Sequence, residues 1–338
     1  MRAKRYPDFW GSDNAVAWLL SPIGRLFGML AVQRRARYAR QPHRRQRIGV
    51  PVLIVGNLSV GGTGKTPLVN WLVECAQQLG FTPGVVLRGY GGRLSGPTRV
   101  GVDDSAVAVG DEALLIAKHT GVAVAIGRDR PAAARLLTEA GVDLVISDDG
   151  LQHLRLERDA EIVVIDGQRG LGNRRCLPAG PLREQPERLS SVDLVLCNGA
   201  QREDCQGRFD LIPGALRPVT IMDGPTHKAS APKPGDAVHA LAGIGNPDRF
   251  FSTLRHLGFV VSAHPLPDHH RFRAGDLHFA DGHAVVMTAK DAIKCTDIAP
   301  DNCWQLPVVA QPDQSTANQL ADLINRAAER FAQRDSIS

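Results

Sequence analysis

Apolar residues in this chain fall mostly into short β-branched runs bounded by turn residues. These alternate with stretches whose apolar positions repeat every three to four residues. The runs 52–55, 85–87, 122–126, 142–146, 161–166 and 193–197 predict buried strands, and patterns such as Leu68, Leu72 and Leu79 predict the helices between them. Repeated alternation of this kind predicts a mostly parallel sheet flanked by helices. From about 207 to 236, Pro213, Gly214, Pro218, Gly224, Pro225, Pro232, Pro234 and Gly235 interrupt any long element and mark a linker. Beyond it, 237–242, 260–262 and 284–288 read as strands, 247–257 as a helix and 315–333 as a terminal helix. The expected organisation is an N-terminal helical segment over 1–48, an α/β domain over 49–215, a linker over 216–236 and a smaller α/β domain over 237–338.

The N-terminal segment breaks the pattern. Residues 15–32 are apolar but interrupted by Ser21, Pro22, Gly24, Arg25 and Gly28, which makes a poor spanning helix. Basic residues follow the apolar run, the reverse of a secretory signal. Ser21 as N-cap with Pro22 in the first turn predicts a helix start, with Ile23, Leu26, Phe27 and Leu30 on one face. Such a stripe, trailed by Arg34, Arg35 and Arg37, suits either a membrane interface or packing against the chain's own domain.

Charge sharpens this picture. The first fifty residues carry eleven Arg or Lys against Asp8 and Asp13, a net +9, so the rest of the chain is −4 within a total of +5. A basic, apolar head on a mildly acidic body predicts attachment to anionic membrane lipids. No aromatic–basic alternation points to nucleic acid, and no such partner is expected. Hydrophobic content of 43% and charged content of 22% are those of a globular protein. The six cysteines contain no CxxC pair, which argues against a disulfide scaffold or a zinc site.

Chemistry concentrates after the first predicted strand. Ser59, Val60, Gly61, Gly62, Thr63, Gly64, Lys65 and Thr66 form a phosphate-binding loop of the Walker A kind, with Ser59 where the generic pattern has Gly. Glycines let backbone N–H groups curl around phosphate oxygens at a helix N-terminus; Lys65 reaches the β- and γ-phosphates, and Thr66 ligates Mg²⁺. ATP and Mg²⁺ are the expected cofactors. The strand 142–148 ends in Asp148 and Asp149, and one or both would hold the Mg²⁺ shell.

Three further clusters remain open on pattern alone. Asp111 is either the N-cap of an Ala/Leu-rich helix or a carboxylate aimed into the crevice at the strand ends. Arg128 and Arg130 follow a strand, where they would neutralise phosphate, grip an anionic acceptor or lie solvated in a loop. Asp268-His269-His270 reads as an acid–base histidine more than a metal site, since adjacent histidines do not readily share one tetrahedral ion.

In order along the chain come GNLSVGGTGKTP, Arg88-Gly-Tyr-Gly-Gly92, Val109-Gly-Asp-Glu112, Asp148-Asp-Gly-Leu-Gln-His153, Leu177-Pro-Ala-Gly-Pro-Leu-Arg183-Glu184, Ala242-Gly-Ile-Gly245, Asp268-His-His270 and Thr288-Ala-Lys-Asp291. This ordered set resembles the tetraacyldisaccharide 4′-kinase family of lipid A synthesis. The resemblance implies a P-loop NTPase-like fold and transfer of the γ-phosphoryl group of ATP to the 4′-hydroxyl of tetraacyldisaccharide 1-phosphate, giving lipid IVA. It further implies a lipid A disaccharide precursor as partner, the cytoplasmic face of the bacterial inner membrane as location, and two domains closing over the nucleotide. Carried over residue by residue, it makes Asp111 the base, coupled to His269 or else His270, and Asp148 and Asp149 the Mg²⁺ carboxylates. Arg130, Arg183 and Glu184 would line the site. The rival reading is a membrane-surface P-loop ATPase switch, whose signature Lys would stand where this chain has Val60. A metal-delivery GTPase is disfavoured by the lack of a guanine-reading NKxD motif.

Overall fold

The computed structural model describes residues 7–219, 230–268 and 270–336. The chain opens with helix α1 (Ala15–Arg40). There follow β1 (Val52–Gly56), α2 (Lys65–Gln78), β2 (Pro83–Leu87), β3 (Thr98–Val100), α3 (Ala106–Val109), α4 (Asp111–Thr120), β4 (Ala123–Ile126), α5 (Arg130–Thr138) and β5 (Leu144–Asp148). After β6 (Ala160–Asp166), β7 (Leu194–Asn198) and β8 (Gly207–Pro213), the chain crosses into a second unit. There it forms β9 (Arg217–Pro218), β10 (Ala237–Ala242), α6 (Pro247–His256), β11 (Val260–Pro265), β12 (Ala284–Thr288), α7 (Ala289–Ala292) and β13 (Cys303–Leu306). The last elements are β14 (Val308–Pro312) and α8 (Gln314–Asp335).

A nine-stranded sheet has the order β14-β8-β7-β6-β1-β5-β2-β4-β3. All neighbours from β8 to β4 run parallel, while the edge strands β14 and β3 are antiparallel. Parallel strands covered on both faces need apolar residues at every position, and β1 (VLIVG) is buried throughout. Leu53 and Val55 pack into one core layer with α2 and α4, Val52 and Ile54 into the opposite one. A five-stranded sheet, β11-β10-β12-β13-β9, builds the smaller unit, parallel except for β9.

Four sequence expectations need correction, the last of them the start of α1. Residues 308–335 do not belong to the smaller unit: β14 pairs with β8, and α8 packs on α2, β6 and β8 of the large sheet. At the other boundary, Arg217 and Pro218 already pair with β13, so part of the expected linker is strand. Residues 220–229 of that linker lie outside the described residues. Third, a disulfide joins Cys197 to Cys205. Seven intervening residues kept this pair from view in a search for CxxC spacing.

The α1 helix starts six residues before Ser21, at an Asn14 cap whose side chain accepts the Ala17 N–H at 3.0 Å. Pro22 therefore sits inside the helix rather than at its first turn. Its buried face is the small one: Ala17, Ser21, Gly24 and Gly28. A Cβ on Gly24 would stand 2.7 Å from the Cys176 carbonyl oxygen, so only glycine allows this approach. Arg175 fastens the contact, donating to Ser21 Oγ at 2.6 Å, pairing with Asp13 at 3.0 Å and lying over the Trp18 ring. Packing against the chain's own domain, one of the two sequence alternatives, holds for one face of the helix. The small residues pack, while Leu19 (80% exposed), Ile23, Leu26, Met29 and Leu30 face outward.

Candidate active site

The phosphate loop runs from the C-terminal end of β1, in the middle of the large sheet, to the N-terminus of α2. Gly64 turns the chain with φ +90°, a region that side-chain-bearing residues rarely adopt. Neighbouring side chains hold the loop open. Asn57 Nδ2 donates to the Ser59 carbonyl at 2.7 Å, and Asn198 Nδ2 donates to that of Thr63 at 3.0 Å. Arg169, paired with Asp166, donates to the Gly62 carbonyl. None of these three residues was singled out from sequence.

Asp148 and Asp149 sit beside Lys65 and Thr66, as expected, and their environments differ. Asp148 Oδ2 accepts from Thr66 Oγ1 at 3.1 Å, while Oδ1 is buried without a hydrogen-bond partner among the described residues. Burial, reinforced by Glu112 and opposed by Lys65, pushes the Asp148 carboxyl up to about 6. Asp149 takes a left-handed backbone (φ 50°) and turns toward Lys65 Nζ at 3.4 Å and Arg183 Nη1 at 3.2 Å. Burial would raise its pKa, but Lys65 and Arg183 together hold it below the usual carboxylate range.

Arg130 begins α5 rather than lying in a loop, and it is buried while Arg128 is exposed. Its Nη2 donates to the Asp148 carbonyl at 3.3 Å; Nε and Nη1 have no partner among the described residues. Burial lowers its pKa to about 10 against the pull of Asp148 and Asp149, which leaves it cationic at neutral pH. A buried guanidinium with two unanswered N–H groups facing a phosphate loop is arranged for an anion.

Asp111 is the first residue of α4, behind a Gly110 cap, and its Oδ1 accepts the Glu112 backbone N–H at 3.0 Å. It is 4% exposed. Lys290, from the smaller unit, lies 3.0 Å from Glu112, 3.9 Å from Asp111 and 3.8 Å from Asp268. The sequence-expected His269 lies outside the described residues. His270 is held by Asp276 at 3.2 Å. A second link between the units runs from Arg249 Nη2 to Asn198 Oδ1 at 3.1 Å, and so to the phosphate loop. Glu184 binds Gln152 at 2.9 Å and is braced by Arg188.

A cleft of about 1170 Å³ is lined by Lys65, Thr66, Arg130, Asp148, Asp149, Glu112 and Lys290, while the buried Asp111 lies next to Glu112 in sequence and outside that lining. It extends from the loop and Asp148 past Glu112 and Lys290 to Phe27, Leu30 and Arg34 of α1. Phosphate-binding and acidic groups at one end thus continue into an apolar, basic-edged surface at the other. That continuity suits an acceptor with a polar head and an apolar body.

The family described as tetraacyldisaccharide-1-P 4′-kinase matches residues 16–325. The chain is 52% identical over 317 residues to the tetraacyldisaccharide 4′-kinase of Alkalilimnicola ehrlichii, covering 93% of this chain and 95% of that one. Against the enzyme of the same name from Halorhodospira halophila it is 47% identical, covering 96% and 98%. Among solved structures it resembles an "apo" form of LpxK from Aquifex aeolicus in complex with ATP. The TM-score is 0.76 and the identity 27%, with 93% of this chain and 99% of that one covered.

Proposed function

This chain belongs to the tetraacyldisaccharide-1-P 4′-kinase family, and from that premise we infer how its own residues carry the reaction. It transfers a phosphoryl group from ATP to the 4′-hydroxyl of a tetraacylated disaccharide 1-phosphate, a lipid A precursor. The observation that carries the assignment of roles is the pairing, across one cleft, of Lys65 and Asp148–Asp149 with the Asp111–Lys290 contact.

The loop amides of residues 59–66 and the Lys65 ammonium bind the triphosphate. The oxygen set of Thr66 and Asp148, with one buried carboxylate oxygen left unsatisfied, fits a hard divalent ion such as Mg²⁺, and Asp149 adjoins it. When bound, that ion neutralises charge on the β- and γ-phosphates. Arg130 supplies two further N–H donors to the same charge. Asp111 accepts the proton of the acceptor hydroxyl as it attacks. Lys290, 3.9 Å away, orients that carboxylate, and His269 stands next in sequence to Asp268, which Lys290 also contacts. Most of the acceleration comes from alignment and charge neutralisation rather than from the base alone.

The exposed apolar face of α1, followed by Arg34, Arg35, Arg37 and Arg40, lies in the interface of an anionic leaflet with the cleft mouth beside it. Because ATP is the donor, that leaflet is the cytoplasmic face of the inner membrane. Radiolabel from γ-labelled ATP should appear in the glycolipid fraction of a membrane extract and not only as free phosphate. Rapid hydrolysis to free phosphate with no labelled lipid would favour the ATPase-switch reading.

A further inference from the structure

Far from the cleft, on the smaller sheet, four side chains of metal-binding type converge. His239 lies in the middle of β10, on the face shared with Leu241 and covered by Leu277 and Phe279. Its Nε2 is 3.0 Å from both oxygens of Asp281. Its Nδ1 is 3.0 Å from Nε2 of His264 in the neighbouring strand β11. His283 completes the group with Nδ1 3.1 Å from Asp281 Oδ2. One ligand atom each from His239, Asp281 and His283 fall within 4.8 Å of one another. None of the four residues lines the nucleotide cleft.

We propose that His239, Asp281 and His283 form a binding site for a borderline divalent transition metal ion of the Zn²⁺ class. Two imidazoles and one carboxylate make a donor set that suits Zn²⁺, Co²⁺ or Ni²⁺ and disfavours Mg²⁺ or Ca²⁺, which take oxygen ligands. The surroundings supply the supporting contacts such a site requires. With Nε2 on the metal, His239 carries its proton on Nδ1 and donates it to His264. Phe279 stacks on the His239 ring at 3.7 Å, nearly parallel, and fixes its plane. Asp281 is oriented by the backbone N–H of His283 at 3.1 Å, and the His283 carbonyl accepts from Asn302 at 3.0 Å. His239 is buried, whereas Asp281 and His283 are about half exposed, so the ion enters from solvent and keeps water in its remaining positions.

The site ties β10 to the turn that precedes β12, and β12 leads directly into Lys290. A bound ion therefore braces the strand that carries the domain contact, without touching the reacting groups.

The test uses the full-length protein, purified without a polyhistidine tag and stripped with chelator, titrated with Zn²⁺ calorimetrically and with Co²⁺ by visible absorption. Wild type should bind one ion that His283→Ala and Asp281→Asn each weaken by at least about tenfold. Both substitutions fall at half-exposed positions, and both variants should keep magnesium-supported kinase activity. Metal uptake unchanged in both variants, or no uptake by wild type at about 100 μM free Zn²⁺, overturns the site.

Discussion

The ammonium of Lys290 lies 3.0 Å from the Glu112 carboxylate although 178 residues separate them in the chain. This contact joins the smaller unit to the helix that begins with Asp111. Its removal takes away a cation that Asp111, Glu112 and Asp268 share. Because Glu112 and Asp268 are partly exposed, the cost should be about 1–3 kcal/mol rather than the full value for a buried pair. Lys290→Met should lower kcat about tenfold or more with nearly unchanged ATP affinity, measured by steady-state kinetics and nucleotide titration. Equal losses of both would mean that Lys290 serves the nucleotide site instead.

The same contact has a defined pH range. Burial alone would lower the Lys290 pKa, but Glu112, Asp111 and Asp268 outweigh it and raise it above the ordinary 10.5. A cation whose pKa is higher folded than unfolded contributes fully below the unfolded value. That contribution is lost only as pH rises through the folded value. The difference in melting temperature between wild type and Lys290→Met should hence stay constant from about pH 6 to pH 9 and shrink above about pH 10.5.

Gly64→Ala probes the phosphate loop. An added Cβ would lie 2.4 Å from Asn198 Nδ2, at a backbone φ of +90°. Both strain and clash displace Asn198 from the Thr63 carbonyl, so ATP affinity should fall by about tenfold to a hundredfold. Asn198→Ala, which removes only the hydrogen bonds, should cost about fivefold. Fluorescent-nucleotide titration distinguishes the two.

For membrane attachment, Leu19→Glu combined with Ile23→Glu changes the outward face of α1 and leaves the packed face of Ala17, Ser21, Gly24 and Gly28 intact. Each charge placed in an apolar interface costs about 2 kcal/mol or more. Flotation with anionic liposomes should drop at least about tenfold, while ATP affinity stays at the wild-type level. Unchanged flotation would assign attachment to the basic residues alone.

What the sequence made legible was what it keeps contiguous. Ser59–Thr66 and Asp148–Asp149 each form one uninterrupted motif at a strand end, and the parallel strands announce themselves as apolar runs. Asn198 and Arg169 carry no local signature, and the motif around Lys290 does not disclose its partner, because each acts on a residue more than a hundred positions away. The return of residues 308–335 to the large sheet is not legible because no composition break separates them from the smaller domain, and only the pairing of β14 with β8 reveals it. The start of α1 is not legible because Pro22 looks like an N-terminal proline, yet here the helix tolerates it about two turns in. Within the group around His239, the residues come from β10, β11 and a turn, and only folding gathers them.

Asp111 is the proposed acceptor of the proton from the substrate hydroxyl. Single-turnover transfer from γ-labelled ATP to purified tetraacyldisaccharide 1-phosphate by Asp111→Asn, with ATP affinity measured in parallel, tests this most directly. ATP should bind within about twofold of wild type while transfer falls by about a hundredfold or more. Transfer at near wild-type rate by Asp111→Asn would contradict it.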